Sequence, residues 1–183
     1  MSAKTKFAPA LLIVVGLISA VEATAVNRSE QEAVIGACIR RASEGRSWLE
    51  RTLWALRDQE AGWVGAEVSN ANGTHDLGPL QVNSAWVGPI AAHTGRDAQM
   101  IRHWLANDAC FNVSVARWIF LTSLASTGDY WRAIGAYHSP TAWRQLRYSS
   151  SVASKLKRRF GVHAFAASAG ALTPNAIQKL PQK

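Results

Sequence analysis

Glu60-Ala61-Gly62-Trp63, then Val68-Ser69-Asn70-Ala71-Asn72-Gly73-Thr74, then Asp76-Leu77-Gly78-Pro79-Leu80-Gln81-Val82-Asn83: these three runs lie within one stretch of 24 residues, 60–83. Upstream, Leu49, Leu53, Leu56 and Glu60 recur at helical spacing, so the carboxylate falls on or beside an apolar stripe near the end of a helix. Ser47-Trp48-Leu49-Glu50 reads as a capping box opening that helix, and Gly62 as its stop. The Gly-, Asn-, Ser- and Thr-rich segment after it predicts a loop or a small irregular hairpin. Such a stretch is poor at building a core and suited to holding an extended polar ligand beside one acid.

The stretch resembles the signature of the lytic transglycosylases, lysozyme-like enzymes that cut the glycan strands of peptidoglycan. That pattern is roughly Glu-Ser, an aromatic two further on, Val-Ser or Val-Asn, Gly-Leu-Met-Gln-Ile-Asn, and a later Ala-Tyr-Asn. Glu60, Trp63, Ser69, Gly78, Gln81 and Asn83 match it, as does Ala136-Tyr137. The Asn-x-Asn-Gly-Thr-x-Asp form of the loop is similar to the small branch associated with secretion, pilus and conjugation machines. The resemblance covers roughly Gly36 to Tyr137. It implies a mainly α, α+β lysozyme-like fold: a compact helical domain with a polar loop or small hairpin beside the active-site cleft.

The remaining chain reads as helices. Ser29-Glu30-Gln31-Glu32 is a capping box for a helix carrying Val34, Ile35, Cys38 and Ile39 on one face. Asn83-Ser84-Ala85-Trp86 begins a short helical segment that Gly88-Pro89 is expected to break. Further helices are expected around Ala98 to Leu105, after an Asn107 or Asp108 cap, from Asp129 through Ala136, and from Thr141 to Phe160. Residues 163–183 turn to Ala, Ser, Gly, Pro and Lys and are expected to lack stable structure. No internal repeat is visible.

Composition sets the class. The 183 residues suit one domain plus tails, with 48% hydrophobic and 17% charged residues. The formal net charge of +8 is compatible with an anionic polymer, a membrane surface or nucleic acid. The basic residues are scattered, apart from Lys155-Leu156-Lys157-Arg158-Arg159, which reads as a solvated helix end and not a nucleic-acid patch. Each of the eight Trp reads more readily as core than as a carbohydrate platform. Lys4 and Lys6, the apolar run Ala8 to Ala20, and Ala23-Thr24-Ala25 form a signal-peptide pattern over residues 1–25, with cleavage expected after Ala25. No other apolar run reaches the length of a membrane span. Residues 26–162 are then the expected domain, exported to the periplasm and monomeric. In an exported chain the even pair Cys38 and Cys110 suggests a disulfide, two buried thiols being the alternative. The branch named above commonly has a matching pair, the second in an Asp-x-Cys-x-Asn setting, here Asp108 to Asn112.

Glycoside cleavage needs an acid still protonated near neutral pH. Glu60 is placed for that, because a helix C-terminus and apolar neighbours such as Leu56 and Trp63 both disfavour its carboxylate. The nearest further carboxylates are Glu67, read as pointing to solvent, and Asp76, read as a loop hydrogen-bonder. The resemblance implies a one-acid mechanism in which Glu60 protonates the glycosidic oxygen and then takes a proton from the sugar's own 6-hydroxyl, closing an anhydro ring. It also implies that Ser69 and Gln81 contact substrate and that Tyr137 lies against Glu60, with Asn83 a weaker candidate. The plain alternatives are turn stabilisation for Ser69 and Gln81, a core role for Tyr137 and helix capping for Asn83. Ala61, Pro79, Leu80 and His138-Ser139-Pro140 depart from the pattern. The five His show no metal spacing with Cys or acids, and no cofactor is expected. Three functions stay open: a lytic transglycosylase acting on peptidoglycan for a secretion, conjugation or pilus apparatus, a muramidase hydrolysing the same bond, and a wall-binding assembly factor without catalysis.

Overall fold

The computed structural model describes residues 11–162 and Ala164, with side chains from Asn27 onward. The chain divides into Met1–Val34 and Ile35–Lys183. Of the expected signal segment, 1–10 lie outside the described residues; of the expected tail, all but Ala164 do.

Helix α1 spans Leu11–Ser43, so Ser29 lies inside a helix instead of capping one. The helix already begins at Leu11, and a cap is needed only where a helix begins. In the first unit, the Gln31 side-chain amide donates to Asn27 Oδ1 at 2.8 Å.

The second unit is mainly helical with one small sheet. Helix α2 (Ser47–Glu60) buries Leu49, Thr52, Leu53, Ala55 and Leu56. Its N-cap is Arg46, with no side-chain cap, so Ser47 is the first helical residue and the expected capping box does not form. Three short antiparallel strands follow, β1 (Glu67–Ser69), β2 (His75–Leu77) and β3 (Val82–Asn83), in the order β1-β2-β3. The β1–β2 turn closes on Asn72, whose side-chain oxygen accepts from the backbone N–H and the hydroxyl of Thr74 at 3.1 and 2.7 Å. A single 3-10 turn, Ser84–Trp86, leads into α3 (Val87–Thr94). Gly88-Pro89 therefore sits in the first turn of α3 and does not break it, since a proline there gives up only an N–H with no intrahelical partner. Then come α4 (Ala98–Asn107), α5 (Ala109–Thr127), α6 (Tyr130–His138) and α7 (Ala142–Phe160). Asp97, Asp108 and Asp129 cap α4, α5 and α6 with side-chain hydrogen bonds.

The core joins Ile35 and Ile39 of α1 to Leu53 and Leu56, to Leu77, Leu80 and Val82 around the sheet, and to Val113, Ala116, Ile119, Phe120, Ile134, Val152 and Leu156. Helix α5 is also long and apolar enough to cross a membrane, which corrects the reading that no run beyond the N-terminal one reaches that length. Its apolar residues include Val113, Ala116, Ile119 and Phe120 of the core. Cys38 and Cys110 form a disulfide with Cα atoms 4.8 Å apart, tying α1 to the start of α5. Trp usage departs from the core reading. Trp63, Trp118, Trp131 and Trp143 are all exposed, while Trp48, Trp54, Trp86 and Trp104 only flank the core. The basic end of α7 is more than a solvated run, because Arg159 makes two 2.7 Å hydrogen bonds to Asp58 and lies over the Trp54 ring.

Candidate active site

Helix α2 ends at Glu60, and its cap is Ala61 in the left-handed region at φ 51°. Gly62, expected to be the stop of α2, has another task. A Cβ there would sit 2.2 Å from the Gly78 carbonyl oxygen and 2.7 Å from the Gln81 side chain. Glycine is thus required so that the exit from α2 can lie flat against the Gly78–Gln81 turn.

That turn is held from several sides. The Gln81 N–H donates to the Gly78 carbonyl at 3.2 Å, and the Gln81 side-chain amide donates to the same oxygen at 2.8 Å. Pro79 occupies the second position of this turn, where its fixed φ is favoured, so its departure from the family pattern suits the local backbone. Gly78 has φ 67°, and a Cβ on it would meet the Leu105 carbonyl at 2.2 Å. Fully buried Asn112 of α5 holds the far side. It accepts from the Leu80 N–H at 2.9 Å and donates to the Leu77 and Leu105 carbonyls at 2.8 Å each.

Glu60 is half-buried at the edge of this frame. The Tyr148 hydroxyl of α7 donates to its Oε1. Burial pushes the carboxyl up from 4.5 to about 7; the Tyr148 hydrogen bond opposes that rise, and the negative charge of Asp76 adds to it. Trp63 is 55% exposed, so it is not the desolvating neighbour expected from sequence. Tyr137 of α6 does not hydrogen-bond Glu60; its hydroxyl donates to the Leu80 carbonyl at 2.9 Å. Burial first, then the Glu60 and Asp76 charges, hold the Tyr137 hydroxyl pKa well above the ordinary tyrosine range. The ring stack of His138 on Tyr148, with centroids 4.6 Å apart and planes 3° apart, fixes the tyrosine that reaches the acid.

Asp76 and Asn83 face one another across β2 and β3. Asn83 donates to Asp76 Oδ1 at 2.8 Å and to Thr74 Oγ1 at 2.9 Å, while its own oxygen accepts from the Ala85 N–H. Asn83 thus caps the 3-10 turn and orients Asp76. Ser69 is exposed on β1 opposite His75. Glu67 is exposed as expected, but pairs with Arg102 of α4 at 2.7 Å. The arrangement gathers Glu60, Tyr148, Tyr137, Gln81 and Asp76 around the end of α2, with Ser69 on the outer strand.

Two contributors were missed from sequence. Tyr148 lies in an ordinary amphipathic helix and carried no local signal. Asn112 was noticed only as part of the setting of Cys110, yet it is completely buried and holds three backbone groups.

No protein-family model and no curated protein matches this chain.

Proposed function

We propose that this chain is an exported peptidoglycan lytic transglycosylase that cleaves the β-1,4 bond between MurNAc and GlcNAc and leaves 1,6-anhydro-MurNAc ends, opening the wall for a secretion, conjugation or pilus apparatus. The observation that carries the reading is Glu60: a carboxyl titrating at about 7, held by one tyrosine at the edge of a polar, glycine-framed turn. At neutral pH about half of such carboxyls hold a proton to donate to the glycosidic oxygen. The resulting carboxylate then accepts the proton of the MurNAc 6-hydroxyl as that oxygen closes on C1. Donation and recovery use the same group, so this chemistry needs no second carboxylate. Tyr148 keeps Glu60 in position, and Gln81 and Ser69 stand on the frame that would meet the glycan.

Asp76 favours one alternative. Its charge acts on Glu60, and Asn83 orients it, an arrangement suited to a muramidase that uses water. Digestion of purified sacculi separates the two. Anhydro-muramic ends support the transglycosylase, reducing ends support the hydrolase, and no released fragments from active-site-intact protein would leave the wall-binding role.

A further inference from the structure

A cavity of about 500 Å³, lined in part by Tyr148, lies between the ends of α2 and α6 and the first turns of α7. Glu60 does not line it; Gln59, His138, Trp143, Arg144, Arg147, Tyr148 and Ser151 do. No carboxylate lines it. Gln59 and Ser151 already hydrogen-bond each other at 2.6 Å. Arg144 and Arg147 are one turn apart on α7, both exposed, and neither forms an ion pair among the described residues. Arg144 lies 5.3 Å from the centre of the Trp143 ring, which is 62% exposed. Four guanidiniums elsewhere pair with acids, Arg46 and Arg117 with Glu44, Arg102 with Glu67 and Arg159 with Asp58. Two uncompensated guanidiniums beside an aromatic face and a concave wall form a receptor for a carboxylate attached to an apolar or peptide body.

We propose that this cavity binds the acidic peptide stems borne by the glycan strands, through carboxylate contacts to Arg144 and Arg147 and packing on Trp143. The assignment of the peptide as wall-derived rests on the function proposed above; the anionic peptide chemistry does not. Tyr148 is shared by the cavity and by Glu60, so a strand cleaved at Glu60 would present its neighbouring stem to this wall. Contacts of this kind at an exposed site are screened by salt.

The test is calorimetric titration of the full chain at low salt with three probes: a stem tetrapeptide with free carboxylates, the same peptide fully amidated, and inorganic phosphate. The free peptide is expected to bind, the amidated one at least tenfold more weakly, and R144Q/R147Q to lose at least tenfold for the free peptide. R147Q alone, expected to lose part of that, guards against a misfolded double variant. Absence of binding by the free peptide, equal binding of the amidated form, or phosphate binding as tightly as the peptide would each overturn the proposal, the last in favour of a simple phosphate site. Sacculus digestion that releases nothing would sink the enzymatic reading without touching this titration.

Discussion

Glu60 is stabilised as an acid and not as an anion, and this has consequences for both stability and rate. Its folded value of about 7 lies above the unfolded 4.5, so the native state holds the proton more tightly. The associated stability is fully present below about pH 4.5 and is lost as pH rises toward and through 7, a change of about 3 kcal/mol at most. Glu60→Gln should therefore unfold at higher temperature than wild type at pH 8, with the gain vanishing near pH 4; equal melting curves at both pH values would contradict the burial argument. Activity on sacculi should fall by about 10²–10⁴-fold in the same variant. Two neighbours tune the acid in opposite directions. Tyr148→Phe removes the hydrogen bond that favours the carboxylate, so the alkaline limb of the pH–activity profile should move up. Asp76→Asn removes a negative charge, so the limb should move down while much of the activity remains. Collapse of Asp76→Asn to the level of Glu60→Gln would point instead to a two-carboxylate hydrolase.

At the scale of elements, the site depends on contact between the end of α2, the turn after β2 and the start of α5. Asn112 is the bolt: three hydrogen bonds from one fully buried side chain join Leu77, Leu80 and Leu105. Asn112→Ala leaves those backbone groups without these partners in a dry interior. The expected cost is at least about 3 kcal/mol, measurable by denaturant unfolding, with activity falling as the turn loosens. Asn112→Asp should also destabilise, because an ionised carboxylate cannot donate to two carbonyls. Gly62→Ala and Gly78→Ala each drive a methyl group into a carbonyl oxygen and should abolish a stable fold or displace the turn. A Gly62→Ala protein with unchanged melting temperature would show that the α2 exit has room the geometry denies it.

Across the whole second unit, the longest covalent closure is the Cys38–Cys110 disulfide, with a sequence separation of 72. The chain-entropy argument allows about 4 kcal/mol of stabilisation for a loop of that size. Unfolding in the presence of reductant should show a drop of that order, and mass spectrometry without reductant should find the linked peptides. Ala164 is buried, and its carbonyl accepts from Arg51 of α2, so the domain extends slightly past the expected boundary at 162. A chain ending at Val162 should melt a few degrees below one ending at Ala164, while removing residues 165–183 alone should matter less.

Most of the helices were legible in the residues alone, because apolar spacing and the side-chain caps at Asp97, Asp108 and Asp129 are local and act through nearest turns. So were the polar hairpin, the cysteine pair and the acid at the end of α2. Where the local pattern misled, the competing effect was again physical: Ser29 and Ser47 have capping patterns, but the helix starts elsewhere, and Gly62 looks like a stop but serves a close approach. Packing between distant elements sets which tyrosine touches Glu60, that Asn83 orients Asp76, that Asn112 fastens the turn and that Arg144 and Arg147 face a cavity. Those relations join residues 7 to 88 positions apart. No periodicity or local propensity encodes them; they arise when α5, α6 and α7 pack against α2 and the sheet, bringing distant polar groups into one low-dielectric neighbourhood where each must find its partner.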